Sequence, residues 1–577
     1  MRYLALACDY DGTLAADGRV TEETVAALER LLASGRKLIL VTGRRLEDLL
    51  SVFPAVHLFE RVVAENGAVL YRPASRELKV LCAPPPEEFL WRLRERGVWP
   101  LSTGHAIVAT NHPHETTVLE VIRDLGLELH VIFNKGAVMV LPTGVNKATG
   151  LAAALDELRL SPHNVVGVGD AENDHAFLRL CEYAVAVANA LPMLKGQADL
   201  VTAGDHGAGV GELIDLLVAD DLRRLESGLT RHHLVLGARE DGQGVRIDPQ
   251  RVNILLAGVS GGGKSTFATG FLERLAERQY QFCVIDPEGD YEGLGDAVVL
   301  GNSQQPANVA AVLQLLDNPQ SNAVVNLLGL PLADRPGFFQ SLLPRLQELR
   351  ARTGRPHWIL VDETHHLLSS AWEPAPLTLP QEFSGMLFIT VHPGSVSPVV
   401  LSSVDVVVAV GQQAAVTVQE FCTALAQPPP GPLPPAVPPG HVLVWRRHAD
   451  TPPFLLRPAP SRTERRRHRR KYAEGELGPD RSFYFRGPEG KLNLRAQNLV
   501  LFQQLAEGVD DETWLYHLRQ GDYSRWLRET IKDNALADEV RRIEAAPHLS
   551  AAESRARLKA AIAERYTLPA SGPEPSK

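Results

Sequence analysis

The sequence predicts two successive α/β domains built on parallel sheets, followed by a small helical module. Three observations predict it. Short apolar runs recur that end in acidic or glycine-rich residues, each followed by a stretch of helical spacing, which is the rhythm of βαβ units. The chain has 577 residues, too many for a single core at about 100–200 residues per domain. After a proline-rich stretch, one more strand signal and a basic run, only helical spacing remains.

Composition narrows the function classes. A formal charge of -10 gives no general attraction to nucleic acid, so any such contact needs a local basic patch. Cys8, Cys82, Cys181, Cys283 and Cys422 lie far apart with no CxxC pair, which argues against a disulfide framework and a zinc site and for a reducing cytoplasm. The longest apolar stretch, SPVVLSSVDVVVAVG, is broken by Ser402, Ser403 and Asp405 and falls short of the roughly 18–20 residues of a membrane helix, so no membrane contact is expected. The opening MRYLALACDYDG is short and runs straight into an acidic cluster, so it is not expected to be a leader.

RYLALACDY reads as a buried parallel strand that carries Asp9 and Asp11 to its carboxyl edge, where open α/β sheets bind ligands. TEETVAALERLLASG follows with a Thr cap, an acidic first turn and a terminal glycine, and then the strand RKLILVTGR. The pattern returns in NKATGLAAALDELRL and NVVGVGDAENDHAFL, placing Lys147 at a helix start and Asp170, Asn173 and Asp174 beyond a strand. A carboxylate can attack a phosphate monoester only if a cation neutralises both, and Mg2+ prefers oxygen ligands. Asp9 and Asp170 are the first candidate ligands, with Asp11 and Asp174 added to the set. Asp9 is the expected nucleophile, forming an aspartyl-phosphate, and Asp11 the group that protonates the leaving alcohol and then activates water. Thr42, Gly43, Lys147 and Asn173 are expected to hold the phosphoryl oxygens.

DYDGT, VTGR, NK and GDAEND, in this order, resemble the four motifs of the haloacid dehalogenase superfamily of phosphatases over roughly residues 1–215. VVAENGAVLY and VAVANALPMLKGQADLVT are similar to the subgroup with an inserted cap, which acts largely on sugar phosphates and related metabolites. The resemblance implies a Rossmann-like domain over 1–220 with an α+β cap at about 84–141. Within the cap, His112 and His114 form a His-x-His pair with no third ligand in sequence reach; they read as a polar loop lining the substrate entrance.

In the second domain, GVSGGGKST lies between the apolar run VNILLA and the helical FATGFLERLAER, the context a phosphate-binding loop requires. Gly258, Gly261, Gly262 and Gly263 let backbone N–H groups face an anion. Lys264 reaches the outer phosphates, Ser265 ligates Mg2+, and Thr266 completes the motif at the positive end of the helix. An NTP, taken as ATP, is the expected ligand. HWILVDETHHLL then reads as a strand delivering Asp362 to the Mg2+ shell and Glu363 to polarise water, an arrangement that favours hydrolysis over transfer. His365 and His366 read as solvated polar residues. QFCVIDPEGDYEGL, NAVVNLLGL, GMLFITVHPG and SVDVVVAVG supply further strands of a parallel core.

GVSGGGKST, VIDPEGDY, ILVDETHH and TVHP together resemble the HerA and FtsK branch of P-loop ATPases over about residues 231–458. That branch includes DNA-translocating and conjugative-transfer motors, and the resemblance implies a homo-oligomeric ring. The departure lies at TVHP, where His392 precedes Pro393 in place of a Gln or similar polar sensor. Arg335 and Arg345 are candidates for a trans-acting arginine by position alone.

AQPPPGPLPPAVPPG reads as a stiff connection before the strand HVLVWRR. RTERRRHRRK, residues 462–471, holds eight basic residues in ten; it can meet DNA or RNA phosphates or form a solvated face, and both readings stay open. The helical module spans 461–577 with that run, and Trp514, Tyr516 and Trp526 read as its core. The favoured reading is a bifunctional protein, a phosphatase for a phosphorylated small molecule, sugar phosphates first, fused to an ATPase. The alternatives are end repair like that of polynucleotide kinase-phosphatases, against which a roofing cap and Glu363 both speak, and a DNA motor with an ancillary phosphatase.

Overall fold

The computed structural model describes residues 1–134, 136–225, 231–249, 252–259, 262–370, 384–449, 451–462, 477, 479–531, 533–546 and 548–566. The chain divides into two compact units. The first is Met1–His233 with the short returns Asp317–Gln320 and Glu348–Pro356, and the second is Leu234–Leu316, Ser321–Gln347 and His357–Lys577.

The first unit is built on an eight-stranded sheet. Its spatial order is Leu200–Val201, Tyr183–Ala186, Val165–Gly169, Ala5–Cys8, Lys37–Val41, Arg61–Ala64, Val69–Arg72 and Glu77–Val80. The first six run parallel and the last two form an antiparallel ribbon at the edge. The central strands are apolar throughout because helices cover both faces, so no polar alternation is possible. The helix Glu22–Ala33 starts where the capping signal stands, with the Thr21 side chain accepting from the Thr24 N–H, and it buries Ala27, Leu28 and Leu31. Asn146 caps Lys147–Leu158 in the same way, which fixes Lys147 as the first helical residue.

Inserted between Val80 and Lys147 is a four-stranded antiparallel sheet in the order Ser102–Thr103, Val108–Asn111, Ala137–Pro142, Leu129–Asn134. The helices Glu87–Glu95 and Glu115–Asp124 join it around a core of its own that includes Phe89, Leu93, Val118, Val121 and Val140. A separate core lets such an insertion keep its shape independently of the main sheet.

The second unit contains an eleven-stranded sheet. Seven strands are parallel, in the order Val406–Val410, Ile254–Gly258, Met386–Thr390, Trp358–Val361, Phe282–Asp286, Ala323–Asn326, Val298–Leu300. Four antiparallel strands extend it beyond Val406–Val410, namely Val442–Arg446, Phe454–Pro458, Leu234–Ala238 and Gly244–Ile247. The expected parallel core is therefore only part of the sheet. Among the described residues, the C-terminal module carries five helices between Leu499 and Tyr566, and it also holds the small hairpin Phe483–Phe485 with Leu494–Ala496. Trp514 and Trp526 are buried in its core, their indole N–H groups donating to Ser554 Oγ at 2.9 Å and the Arg481 carbonyl at 3.0 Å. Tyr516 is only half-buried, and the core position expected for it is taken by Tyr523, stacked 4.5 Å from Trp514. The basic residues 463–471 lie outside the described residues. Among the described residues, no helix is long and apolar enough to cross a membrane.

Candidate functional site

Sheet order assembles the first site. Ala5–Cys8 is the strand at which the chain reverses direction across the sheet, with Val165–Gly169 on one side and Lys37–Val41 on the other. The carboxyl ends of these three strands deliver Asp9, Asp170 and Thr42 side by side. Asp174 joins them from the turn Glu172–Asp174, its Oδ2 accepting from the N–H groups of Asp170 and Ala171 at 2.9 Å. Thr13 Oγ1 donates to Asp170 Oδ1 at 3.3 Å.

Lys147 enters from its helix start and donates to Asp9 Oδ1 at 2.5 Å and to Asp174 Oδ1 at 2.6 Å, all three side chains being buried. Oxygens of Asp9, Asp170 and Asp174 lie within 4.8 Å of one another. Burial pushes the Asp9 pKa up to about 8, Asp174 adds to the rise, and Lys147 opposes it. Burial alone would lower the Lys147 pKa, but Asp174 and Asp9 outweigh it and hold the ammonium above the ordinary lysine value. Three buried carboxylates that crowd one another in this way form an all-oxygen donor set with excess negative charge, and that chemistry fits a hard divalent cation such as Mg2+.

Asp11 is placed differently from the other expected ligands. Its carboxylate turns to Arg44, which grips it through Nε at 2.7 Å and Nη2 at 2.6 Å, and it does not group with the Asp9, Asp170 and Asp174 oxygens. Thr42 is fully buried and its Oγ1 accepts from the Arg44 N–H at 3.1 Å. Gly43 is bare beside Asn66, and Asn173 Nδ2 donates to Asn66 Oδ1 at 2.9 Å. Sequence reasoning named Thr42, Gly43 and Asn173 but missed Arg44 and Asn66. VTGR and VVAENGAVLY held both residues, yet nothing in either stretch shows which partners they meet. His112 pairs with Glu115 at 2.9 Å, and His114 Nε2 contacts the Trp99 carbonyl at 2.9 Å; neither joins a metal-capable group among the described residues.

The residues expected to form a nucleotide site also lie at strand ends. Ile254–Gly258 leads toward Lys264–Glu277, with Gly262 and Gly263 just before that helix; Gly261 lies outside the described residues. Gly258 has φ 142°, and a Cβ there would stand 2.2 Å from the Val410 carbonyl oxygen, so the loop leaves the strand at a point only glycine tolerates. Lys264 Nζ donates to the carbonyls of Gly258 at 2.8 Å and Val259 at 3.2 Å. Ser265 and Thr266 occupy the first helical turn, the first half-buried and the second exposed.

Trp358–Val361 stands one strand away, so Asp362 and Glu363 emerge on the same edge as the loop, with Met386–Thr390 between them. Asp362 is buried, and burial followed by the Glu363, Asp290 and Asp286 charges raises its pKa well above the ordinary aspartate value. Glu363 sits at φ 45°, a left-handed conformation costly for a residue with a side chain and common at functional positions. His365 departs from the solvated role expected of it. Its side chain is 11% exposed and its Nδ1 lies 3.1 Å from Thr390 Oγ1, while burial and then His366 and His392 push its pKa down to about 4. His366 is exposed, as expected. The His392 ring lies 5.9 Å from that of His365. Arg335 Nε donates to the Leu330 carbonyl at 3.1 Å, and Arg345 is exposed on the same helix, Arg335–Thr353.

Comparison with known proteins bears on the first unit. The sequence pattern of the haloacid dehalogenase-like hydrolases matches residues 6–81 and 105–214. A phosphoglycolate phosphatase of Methanothermobacter thermautotrophicus is 32% identical over 219 residues, spanning 36% of this chain and 96% of that protein. Phosphoglycolate phosphatase 2 of Saccharolobus solfataricus is 28% identical over 226 residues, spanning 37% of this chain and 93% of that protein. Among solved structures, a haloacid dehalogenase-like hydrolase from Bacteroides thetaiotaomicron is 18% identical with a TM-score of 0.34, covering 37% of this chain and 99% of that one.

Proposed function

Because the chain belongs to the haloacid dehalogenase-like hydrolases through residues 6–81 and 105–214, we propose that its first unit is a Mg2+-dependent phosphatase for a small phosphorylated metabolite. We propose further that the second unit binds and hydrolyses ATP. The observation that carries the first reading is the buried trio Asp9, Asp170 and Asp174 around Lys147 at the switch point of the sheet. Phosphoglycolate heads the substrate list because the relatives bear that name, and sugar phosphates follow.

When bound, Mg2+ would be held by Asp9, Asp170 and Asp174 and would offset the charge that otherwise keeps a carboxylate from a phosphate ester. Asp9 attacks phosphorus, the ester P–O bond breaks, and the leaving oxygen takes a proton from Asp11. Asp11 then accepts a proton from water, the water oxygen attacks the aspartyl-phosphate, and inorganic phosphate leaves with Asp9 restored. Since Asp11 is paired with Arg44, proton delivery requires it to swing away from that guanidinium. Lys147, Thr42 and the backbone at Gly43 orient the phosphoryl oxygens.

In the second unit, Gly258 to Thr266 and Lys264 would hold the phosphates, Ser265 and Asp362 the metal shell, and Glu363 the attacking water. The position of Glu363 supports hydrolysis over transfer to a nucleic-acid end. A homo-oligomeric ring and a nucleic-acid contact through 462–471 are proposals that rest on the sequence resemblance and the basic run alone.

The test is phosphate release from phosphoglycolate, a set of sugar phosphates and nucleoside monophosphates by the full chain. We expect turnover of at least one small metabolite, lost on chelation and restored by Mg2+. Silence toward every monoester, or turnover indifferent to chelation, contradicts the phosphatase reading.

A further inference from the structure

Between the core strands Arg61–Ala64 and Val69–Arg72, the residues Glu65, Asn66 and Gly67 all take positive φ, at 52°, 53° and 106°. Left-handed glutamate and asparagine in succession persist only where the surroundings over-determine them. Here the backbone is tied to the first site on one side. The Glu65 N–H donates to the Arg44 carbonyl at 2.9 Å and the Asn66 N–H to the Thr42 carbonyl at 3.1 Å.

Their side chains reach the inserted domain on the other side. Glu65 is completely buried, and its carboxylate accepts from three consecutive backbone N–H groups, those of His105 at 2.9 Å, Ala106 at 2.9 Å and Ile107 at 3.0 Å. These residues lead into the cap strand Val108–Asn111. A Cβ on Gly104 would fall 2.3 Å from Glu65 Oε1, so the cap backbone lies directly against the carboxylate. Arg45 adds a contact from Nη1 to the Thr103 carbonyl at 3.2 Å. Asn66 Nδ2 meets Met139 Sδ at 3.0 Å on a second cap strand, while its Oδ1 accepts from Asn173. Glu47, Glu65 and His105 group closely enough to suggest a cation, but both Glu65 oxygens already serve the cap amides.

We infer that Glu65, with Asn66 beside it, is a positioning residue that sets where the cap stands over the phosphoryl site, and so sets selectivity for the part of the substrate beyond its phosphate. The inference rests on the phosphatase reading. A buried carboxylate bonded to three cap amides is a far tighter coupling than exposed side-chain pairs provide. The same segment is anchored to Thr42, Arg44 and Asn173, so the cap is positioned relative to a fixed phosphoryl side.

The experiment compares Glu65→Gln with Gly104→Ala in the full chain, each assayed on the best metabolite from the substrate set and on p-nitrophenyl phosphate, an activated ester with little for a cap to recognise. Glu65→Gln replaces one acceptor oxygen with a donor, and Gly104→Ala drives the cap backbone off the same carboxylate. We expect kcat/KM for the metabolite to fall about 10- to 100-fold, the range for losing hydrogen bonds to a charged group, chiefly through KM. The aryl ester is expected to change less than about threefold, and the double variant to lose little more than either single one. Equal losses on both esters, or an unchanged ratio, overturn the inference. If one variant fails to fold, the other gives the same reading. A wild-type chain that hydrolyses neither ester fails the phosphatase reading first, a result distinct from an active wild type with indifferent variants.

Discussion

Asp9→Asn is expected to lose phosphate release from every monoester by at least about a thousandfold while NTP hydrolysis is retained. An amide is no nucleophile at phosphorus, and losses of a covalent nucleophile reach about a millionfold where they have been measured. The same change removes one of the three anionic oxygen donors and one partner of Lys147. Folding is expected to survive, because the buried carboxylate is disfavoured as an anion, its pKa pushed up to about 8 by burial and then by Asp174. A neutral amide of the same shape removes one of the crowded carboxylates, and Lys147 keeps its bond to Asp174 at 2.6 Å. Phosphate release and ATP hydrolysis are measured on one preparation, and an Asn variant that still hydrolyses monoesters at the wild-type rate removes Asp9 from the chemistry.

Glu363→Gln is expected to bind ATP with wild-type affinity and to hydrolyse it about 10²- to 10⁴-fold more slowly, the usual loss for a general base. Lys264, Ser265 and Asp362 remain to hold phosphates and metal, so the variant traps a loaded state. The amide also stays within the same left-handed backbone, where the Glu363 N–H donates to Asp362 Oδ1 at 2.8 Å. Nucleotide binding, hydrolysis and phosphoryl transfer to DNA carrying a 5′-hydroxyl are read together. Unchanged hydrolysis in the Gln variant, with transfer by the wild type, would promote the end-repair alternative.

Acidic residues at strand ends were readable because buried parallel strands are apolar to their last residue, so the first polar residue marks the ligand edge. That rule placed Asp9, Asp170 and Asp362, and the recurring βαβ pattern placed Lys147 at a helix start. Partners distant in sequence were not readable. Arg44 lies 33 residues from Asp11, and the clamp from Glu65 to the Ala106 amide spans 41; neither has a periodic signal. The positive φ of Glu65 runs against local propensity and exists only because tertiary contacts impose it. Of the four antiparallel strands of the second sheet, HVLVWRR was readable as a strand at Val442–Arg446, but its antiparallel place was not, because these strands come from segments near residues 234–247 and 442–458 that meet only across the sheet. His365 was read as solvated from a polar run, yet the neighbouring strand ending in Thr390 covers it.

Transfer of the phosphoryl group to Asp9 is the step on which the proposed phosphatase activity rests. Its most direct measurement is an acid quench of the full chain during turnover of a radiolabelled monoester, followed by peptide mapping. Label is expected on the peptide that contains Asp9, released by hydroxylamine as an acyl phosphate requires and absent in Asp9→Asn. Steady turnover with no label at any quench time, or label on a different residue, contradicts it.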